Sequence, residues 1–201
     1  MIVTKPAIIF DLSEVYLRGL LGTHELISDE IGKDVSMDAL NIPEQELLFS
    51  GKISEEDFWL SVLKRNSWSL SVGRLKSLVR YNFREILGTR DILEALSSRG
   101  YNLALLSVHA KEWVDYLEDK FDYHKLFNTI SYSYYPGATA KPDPLSYKNI
   151  LLEMCVTSDN AIFIDDRDIN VISARDAGIY AIKFQSPEQL ILDLEIRGVL
   201  I

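Results

Sequence analysis

A single cysteine, Cys155, is the whole thiol content of the chain. That excludes an internal disulfide framework and agrees with a reducing compartment. Cys155 falls in a predicted helix and reads there as a small core residue. The sequence also lacks any apolar run near the ~20 residues that a membrane-crossing helix requires. Its first residues, MIVTKPAIIFD, carry a short apolar run and then an acid, unlike a secretory leader. No cluster of Lys and Arg stands out, and the formal net charge is −9, so nucleic acid is not an expected partner. Internal repeats and low-complexity tracts are missing as well. These absences lead us to expect a soluble, cytoplasmic protein with no membrane and no nucleic-acid partner. They leave the oligomeric state open.

What remains is ordinary globular composition: 47% hydrophobic and 25% charged residues over 201 positions. That length suits one domain, or one domain carrying a smaller insertion. Short apolar runs ending in polar residues occur at AIIFD (7–11), LALLS (103–107), AIFIDD (161–166) and YAIKF (180–184). Near-continuous runs of this kind mark strands buried on both faces of a parallel sheet. TISYSYY (129–135) is a weaker strand candidate. Helical spacing appears at 89–100, 110–121, 144–155, 168–179 and 186–198. Pro144 opens the third of these in the position where proline fits a first turn. Strand–helix alternation of this kind predicts an α/β fold with a doubly wound parallel sheet.

One interval breaks the alternation. Residues 14–85 hold no convincing strand. The stretch 54–66 opens with a capping-box pattern, Ser54 to Asp57, and 72–83 also has helical period. We read 14–85 as an all-helical insertion.

Ligands of open α/β sheets bind beyond the carboxyl ends of the strands. The polar residues ending the predicted strands are Asp11, Ser107 and the pair Asp165 and Asp166, with Lys141 in a loop before a helix. Each alone has a plain structural reading: a helix cap, a turn or a surface residue. Together they suggest chemistry. Three converging carboxylates repel one another unless a cation sits among them. Hard oxygen ligands suit Mg2+. An aspartate can act as a covalent nucleophile. A lysine and a hydroxyl can hold phosphoryl oxygens during transfer.

The order and spacing of these residues resemble the haloacid-dehalogenase-like (HAD) hydrolase superfamily. IIFDLSEVYL is similar to its first motif, LALLSVH to the second, GATAKPDPLSY to the third and AIFIDDRDINVISARDAGI to the fourth. The fourth motif, with Asn170 after the acidic pair, resembles the branch containing glucose-1-phosphate phosphatase and the N-terminal phosphatase domain of soluble epoxide hydrolases. SGKISEEDFW (50–59) resembles a helix signature of that branch. The resemblance implies a Rossmann-like HAD core over residues 1–13 and 86–201, and a helical cap over 14–85. It implies a phosphatase acting on a small phosphorylated substrate. Asp11 would be the nucleophile, Ser107 the phosphoryl-binding hydroxyl and Lys141 the neutralising cation. Mg2+ would be held by Asp11, the backbone carbonyl of Ser13 and Asp166, with Asp165 ligating or orienting a water.

The chain departs from this pattern at Ser13. Most phosphatases of the family carry a second aspartate there, as general acid and base. A serine hydroxyl does not titrate near neutrality and is a poor acid. Three explanations compete. The acid comes from elsewhere, Glu14 or His24, or is not needed. Or the protein is a weakened relative that binds a phosphorylated ligand or a partner. Or it is a dehalogenase, against which the Asp165–Asp166 pair argues. His109, two residues beyond Ser107, lies near the site and has two readings, a substrate contact or, the plainer one, a helix-start residue. Arg167 reads as a balance for the acidic pair, and Trp59, Trp68 and Trp113 as packing residues.

Overall fold

The computed structural model describes residues 5–200. Five parallel strands form one sheet: β1 (Ala7–Phe10), β2 (Leu103–Ser107), β3 (Thr129–Tyr132), β4 (Ala161–Asp165) and β5 (Tyr180–Lys183). Their order across the sheet is β3-β2-β1-β4-β5. Successive side chains of a strand point to opposite faces, and here both faces are packed. Ile8, Phe10, Leu103, Leu105, Ile162 and Ile164 enter one core. Ala7, Ile9, Ala104, Leu106, Ala161 and Phe163 enter the other. Two-sided burial is why these strands read as unbroken apolar runs.

Helices α5 (Thr89–Ser98), α6 (Lys111–Phe121) and α9 (Pro187–Ile196) cover the first face through Leu93, Trp113, Leu117 and Leu190. Helices α7 (Pro144–Glu153) and α8 (Asp168–Asp176) cover the second through Tyr147, Ile150 and Val171. Pro144 stands in the first turn of α7 behind Asp143, whose carboxylate accepts from the Leu145 amide. Cys155 corrects the sequence reading. It is exposed and lies past the end of α7 with φ 56°, in a left-handed turn. Met154 and Leu151 fill the core beside it instead.

Between β1 and β2 the chain forms α1 (Thr23–Ile31), α2 (Glu44–Phe49), α3 (Glu55–Asn66) and α4 (Val72–Asn82) before α5. The capping box at the start of α3 is complete: Ser54 Oγ accepts from the Asp57 amide and Asp57 accepts from the Ser54 amide. No strand of the sheet lies in this interval. The outgoing and returning segments run side by side. The Arg18 amide donates to Arg84 at 2.8 Å and the Ile86 amide to Tyr16 at 2.9 Å.

A buried carboxylate ties these helices to the sheet layer. Glu55 on α3 is 2% exposed. It accepts from Trp59 Nε1 at 3.1 Å, from Trp113 Nε1 of α6 at 2.8 Å, and from both terminal nitrogens of Arg80 on α4 at 2.7 Å. Burial works against its charge, yet Arg80 and the two indoles hold its pKa below the usual value. Trp59 and Trp113 are fully buried, and Trp68 is half-buried against the same core. Among the described residues no helix is long and apolar enough to cross a membrane.

Candidate active site

The chain runs β1, β2, β3 outward to one edge, then returns to place β4 on the other side of β1. A crevice opens at the carboxyl ends of strands where the order reverses, here between β1 and β4. The register pairs Phe10 with Ile164, and the Asp11 amide donates to the Ile164 carbonyl at 2.9 Å. Asp11 and Asp165 therefore stand next to each other at the end of the ladder. Asp166 follows. The three aspartates offer carboxylate oxygens within 4.8 Å of one another.

Lys141 reaches this point from the loop before α7. Its Nζ lies 2.6 Å from Asp165 Oδ2 and 3.0 Å from Asp11 Oδ2, with its side chain 1% exposed. Asp165 is fully enclosed. It also accepts from the Arg167 amide at 2.8 Å and from Asn170 Nδ2 at 3.0 Å. Its two oxygens are thus engaged by neighbours that fix Lys141. Asp11 Oδ1 accepts from the Leu12 amide at 2.7 Å. Among the described residues no side chain partners the Asp166 carboxylate, and Asp166 lines a cavity of about 760 Å³.

The electrostatics follow from burial and crowding. Burial, with Asp165 and Asp166 adding to it, pushes Asp11 up to about 7 against the pull of Lys141. Burial and Asp165 push Asp166 up to about 6. Burial disfavours the Lys141 ammonium, but Asp11 and Asp165 outweigh it and hold its pKa above the ordinary value. One lysine does not balance three carboxylates. The donor set, hard oxygens with one unpartnered carboxylate, fits a small divalent cation.

Asp11, Ser13, Lys141 and Asp166 line the cavity. Asp165 sits behind that wall, where its bonds position Lys141. Ser107 ends β2, and among the described residues its buried Oγ has no partner. Val108 and His109, its successors, reach the wall. Glu14 lines the cavity too; its carboxylate accepts from the Gly19 amide at 2.8 Å and from Arg18 at 3.2 Å. Burial raises its pKa. His24, on α1, is not among the lining residues. Arg167 lines the cavity and holds Asp165 through its amide rather than through its side-chain charge.

Sequence reasoning missed the far wall, formed by Met37, Asn41, Gln45 and Phe49. These residues precede and occupy α2, too short a helix for periodicity to single out. Ser133 was missed as well. Its Oγ donates to the Phe49 carbonyl at 2.5 Å and accepts from the His109 amide at 3.2 Å, joining α2 to the loop after β2.

The profile of haloacid dehalogenase-like hydrolases matches residues 40–184. A curated relative, flavin mononucleotide hydrolase 1 of Arabidopsis thaliana, is 27% identical over 127 residues, 62% of this chain. The match spans half of that relative's length. Two solved structures share the fold. A HAD family enzyme of Bacteroides thetaiotaomicron, in complex with magnesium and inorganic phosphate, has a TM-score of 0.70 at 19% identity, covering 91% of this chain and 96% of its own. A HAD-like family hydrolase of Porphyromonas gingivalis has a TM-score of 0.73 at 20% identity, covering 98% and 99%. With the profile spanning most of the sheet and its helices, the chain belongs to the haloacid dehalogenase-like hydrolase family.

Proposed function

We propose that the protein is a Mg2+-dependent phosphomonoester hydrolase acting on a small phosphorylated metabolite through an aspartyl-phosphate on Asp11. The observation that carries this reading is the cluster of Asp11, Asp165 and Asp166 around Lys141 at the sheet's switch point. An Asp11 oxygen bonds to phosphorus as the ester P–O bond breaks, and the leaving oxygen takes up a proton. Water then attacks phosphorus and frees Asp11 with release of phosphate. Lys141, held by Asp165 and Asp11, neutralises phosphoryl oxygens. The partnerless hydroxyl of Ser107 offers them a further hydrogen bond. Asp11, the Ser13 carbonyl and Asp166 would hold Mg2+, which supplies positive charge to the transferring group. Asp165 orients Lys141.

Residues 14–85 serve in this reading as a cap on a core of 1–13 and 86–201; of these, 1–4 and 201 lie outside the described residues. The paired segments near Arg18 and Arg84 support that boundary, as does a cavity walled from both sides. The Arabidopsis relative, named for hydrolysis of a phosphorylated metabolite, supports the substrate class. The structure from Bacteroides, holding magnesium and phosphate, supports the ligands. A second reading, a weakened relative that binds a phosphorylated ligand, rests on Ser13. Of the two substitutes considered for the missing acid, Glu14 stands at the cavity and His24 does not.

The test is Mg2+-dependent release of phosphate from p-nitrophenyl phosphate. Asp11→Asn should lose it while keeping the far-UV circular dichroism of the parent. Binding of phosphate with no turnover of any monoester would favour the second reading.

A further inference from the structure

His109 is a buried polar side chain for which the proposed phosphoryl transfer has no use. It is 3% exposed, yet it lines the cavity. Its ring is wedged among Phe49, Phe83 and Trp113, with centroids 6.5, 6.3 and 5.7 Å away. The Ser133 hydroxyl holds its backbone amide. The three aromatic neighbours pack against the imidazole. Burial lowers its pKa to about 4, so the ring is neutral at physiological pH.

A neutral imidazole carries one N–H and one bare nitrogen. Among the described residues Nδ1 is enclosed with no hydrogen-bond partner and Nε2 is not among the enclosed partnerless atoms. His109 lines the cavity, so Nε2 is the nitrogen that meets it. Either tautomer leaves there one uncharged hydrogen-bonding nitrogen, donor or acceptor. It stands where the loop after β2 meets Phe49 of α2.

We infer that His109 is a specificity-determining residue that hydrogen-bonds a hydroxyl group on the leaving group and so selects hydroxylated phosphomonoesters. This deepens the proposed phosphatase reading and rests on it. A site built to hydrogen-bond a substrate hydroxyl rejects analogues lacking it more strongly than an apolar wall does.

The experiment compares kcat/KM of the wild type, His109→Phe and His109→Gln. The substrates are glycerol 3-phosphate, ribose 5-phosphate, glucose 6-phosphate and p-nitrophenyl phosphate, the last lacking such a hydroxyl. Phe keeps the packing and removes the hydrogen-bonding nitrogen; Gln restores a side-chain donor and acceptor. His109→Phe should lose about tenfold on the best hydroxylated ester. It should stay within about threefold on p-nitrophenyl phosphate, and Gln should recover most of the loss. Equal losses on both classes would assign the ring to the phosphoryl group or to packing and overturn the inference. So would no loss on either. A wild type that cleaves p-nitrophenyl phosphate and none of the sugar or polyol esters would overturn it while leaving the phosphatase reading intact. A wild type that cleaves none of the four sinks that reading, and this one with it.

Discussion

Replacing Ser13 by aspartate should raise activity rather than lower it. Ser13 lines the cavity with Asp11 and Asp166. A methyl on Gly19 would lie 2.8 Å from Ser13 Oγ, so the Ser13 side chain already rests on the Gly19 backbone, and only the absence of a Cβ there leaves room. A carboxyl at 13 would join Asp11, Asp166 and Glu14. General acid catalysis contributes 100-fold to 10,000-fold as a rule. The tight fit over Gly19 argues for the low end, about 100-fold or about 2.7 kcal/mol. The effect should depend on the leaving group. Nitrophenolate departs without a proton, whereas an alkoxide does not. In kcat/KM, which reports the first transfer, Ser13→Asp should gain about 100-fold on glycerol 3-phosphate and less than about tenfold on p-nitrophenyl phosphate. A gain equal on both esters, or no gain on either in a folded variant, would show that Ser13 does not stand in the acid position.

Two further substitutions probe the buried charges. Lys141→Met removes the cation between Asp11 and Asp165 and leaves both enclosed. Stability without metal should fall by about 3–5 kcal/mol in urea. Added Mg2+ should restore part of it, because a bound cation stabilises the folded state; no difference with Mg2+ would remove the cation from this cluster. Glu55→Gln breaks the pair with Arg80 and weakens the bonds to both indoles. The loss should be about 3 kcal/mol, the low end for a buried pair, since Arg80 is partly exposed. Its thermal melt should move down, and an unchanged melt would mean that Glu55 does not tie α3 to α6.

The sheet and the heart of the site were legible because both obey local rules. LALLS reads as a strand, and Leu103–Ser107 is one, every residue buried. Asp11 and Asp165 end or follow apolar runs, and parallel register brings such positions side by side. Ser54 and Asp57 announced α3 through chemistry within one turn. The edge strand β3 is shorter than TISYSYY suggested, ending at Tyr132, because beyond it the chain turns at the ladder's edge. The helices α1 and α2 gave weak signals; α2 has six residues and buries only Leu48. Glu55 reads in sequence as a charge at a helix start. Its burial comes from Trp113 and Arg80, which lie on other helices and reach it only in the folded chain. The far wall of the cavity was hidden for the same reason. Phe49 reaches His109 through Ser133, a residue 84 positions away in sequence. Cys155 misled because its apolar flanks suggested helix, while the chain turns left-handed there.

The most direct measurement follows p-nitrophenolate release with Mg2+ on the millisecond scale, before steady state. An aspartyl-phosphate on Asp11, formed readily with a good leaving group and hydrolysed slowly without an acid–base partner at Ser13, predicts a burst near one equivalent per enzyme. Asp11→Asn should show neither burst nor turnover. Release from Asp11→Asn at the wild-type rate would contradict the assignment of Asp11 as the nucleophile.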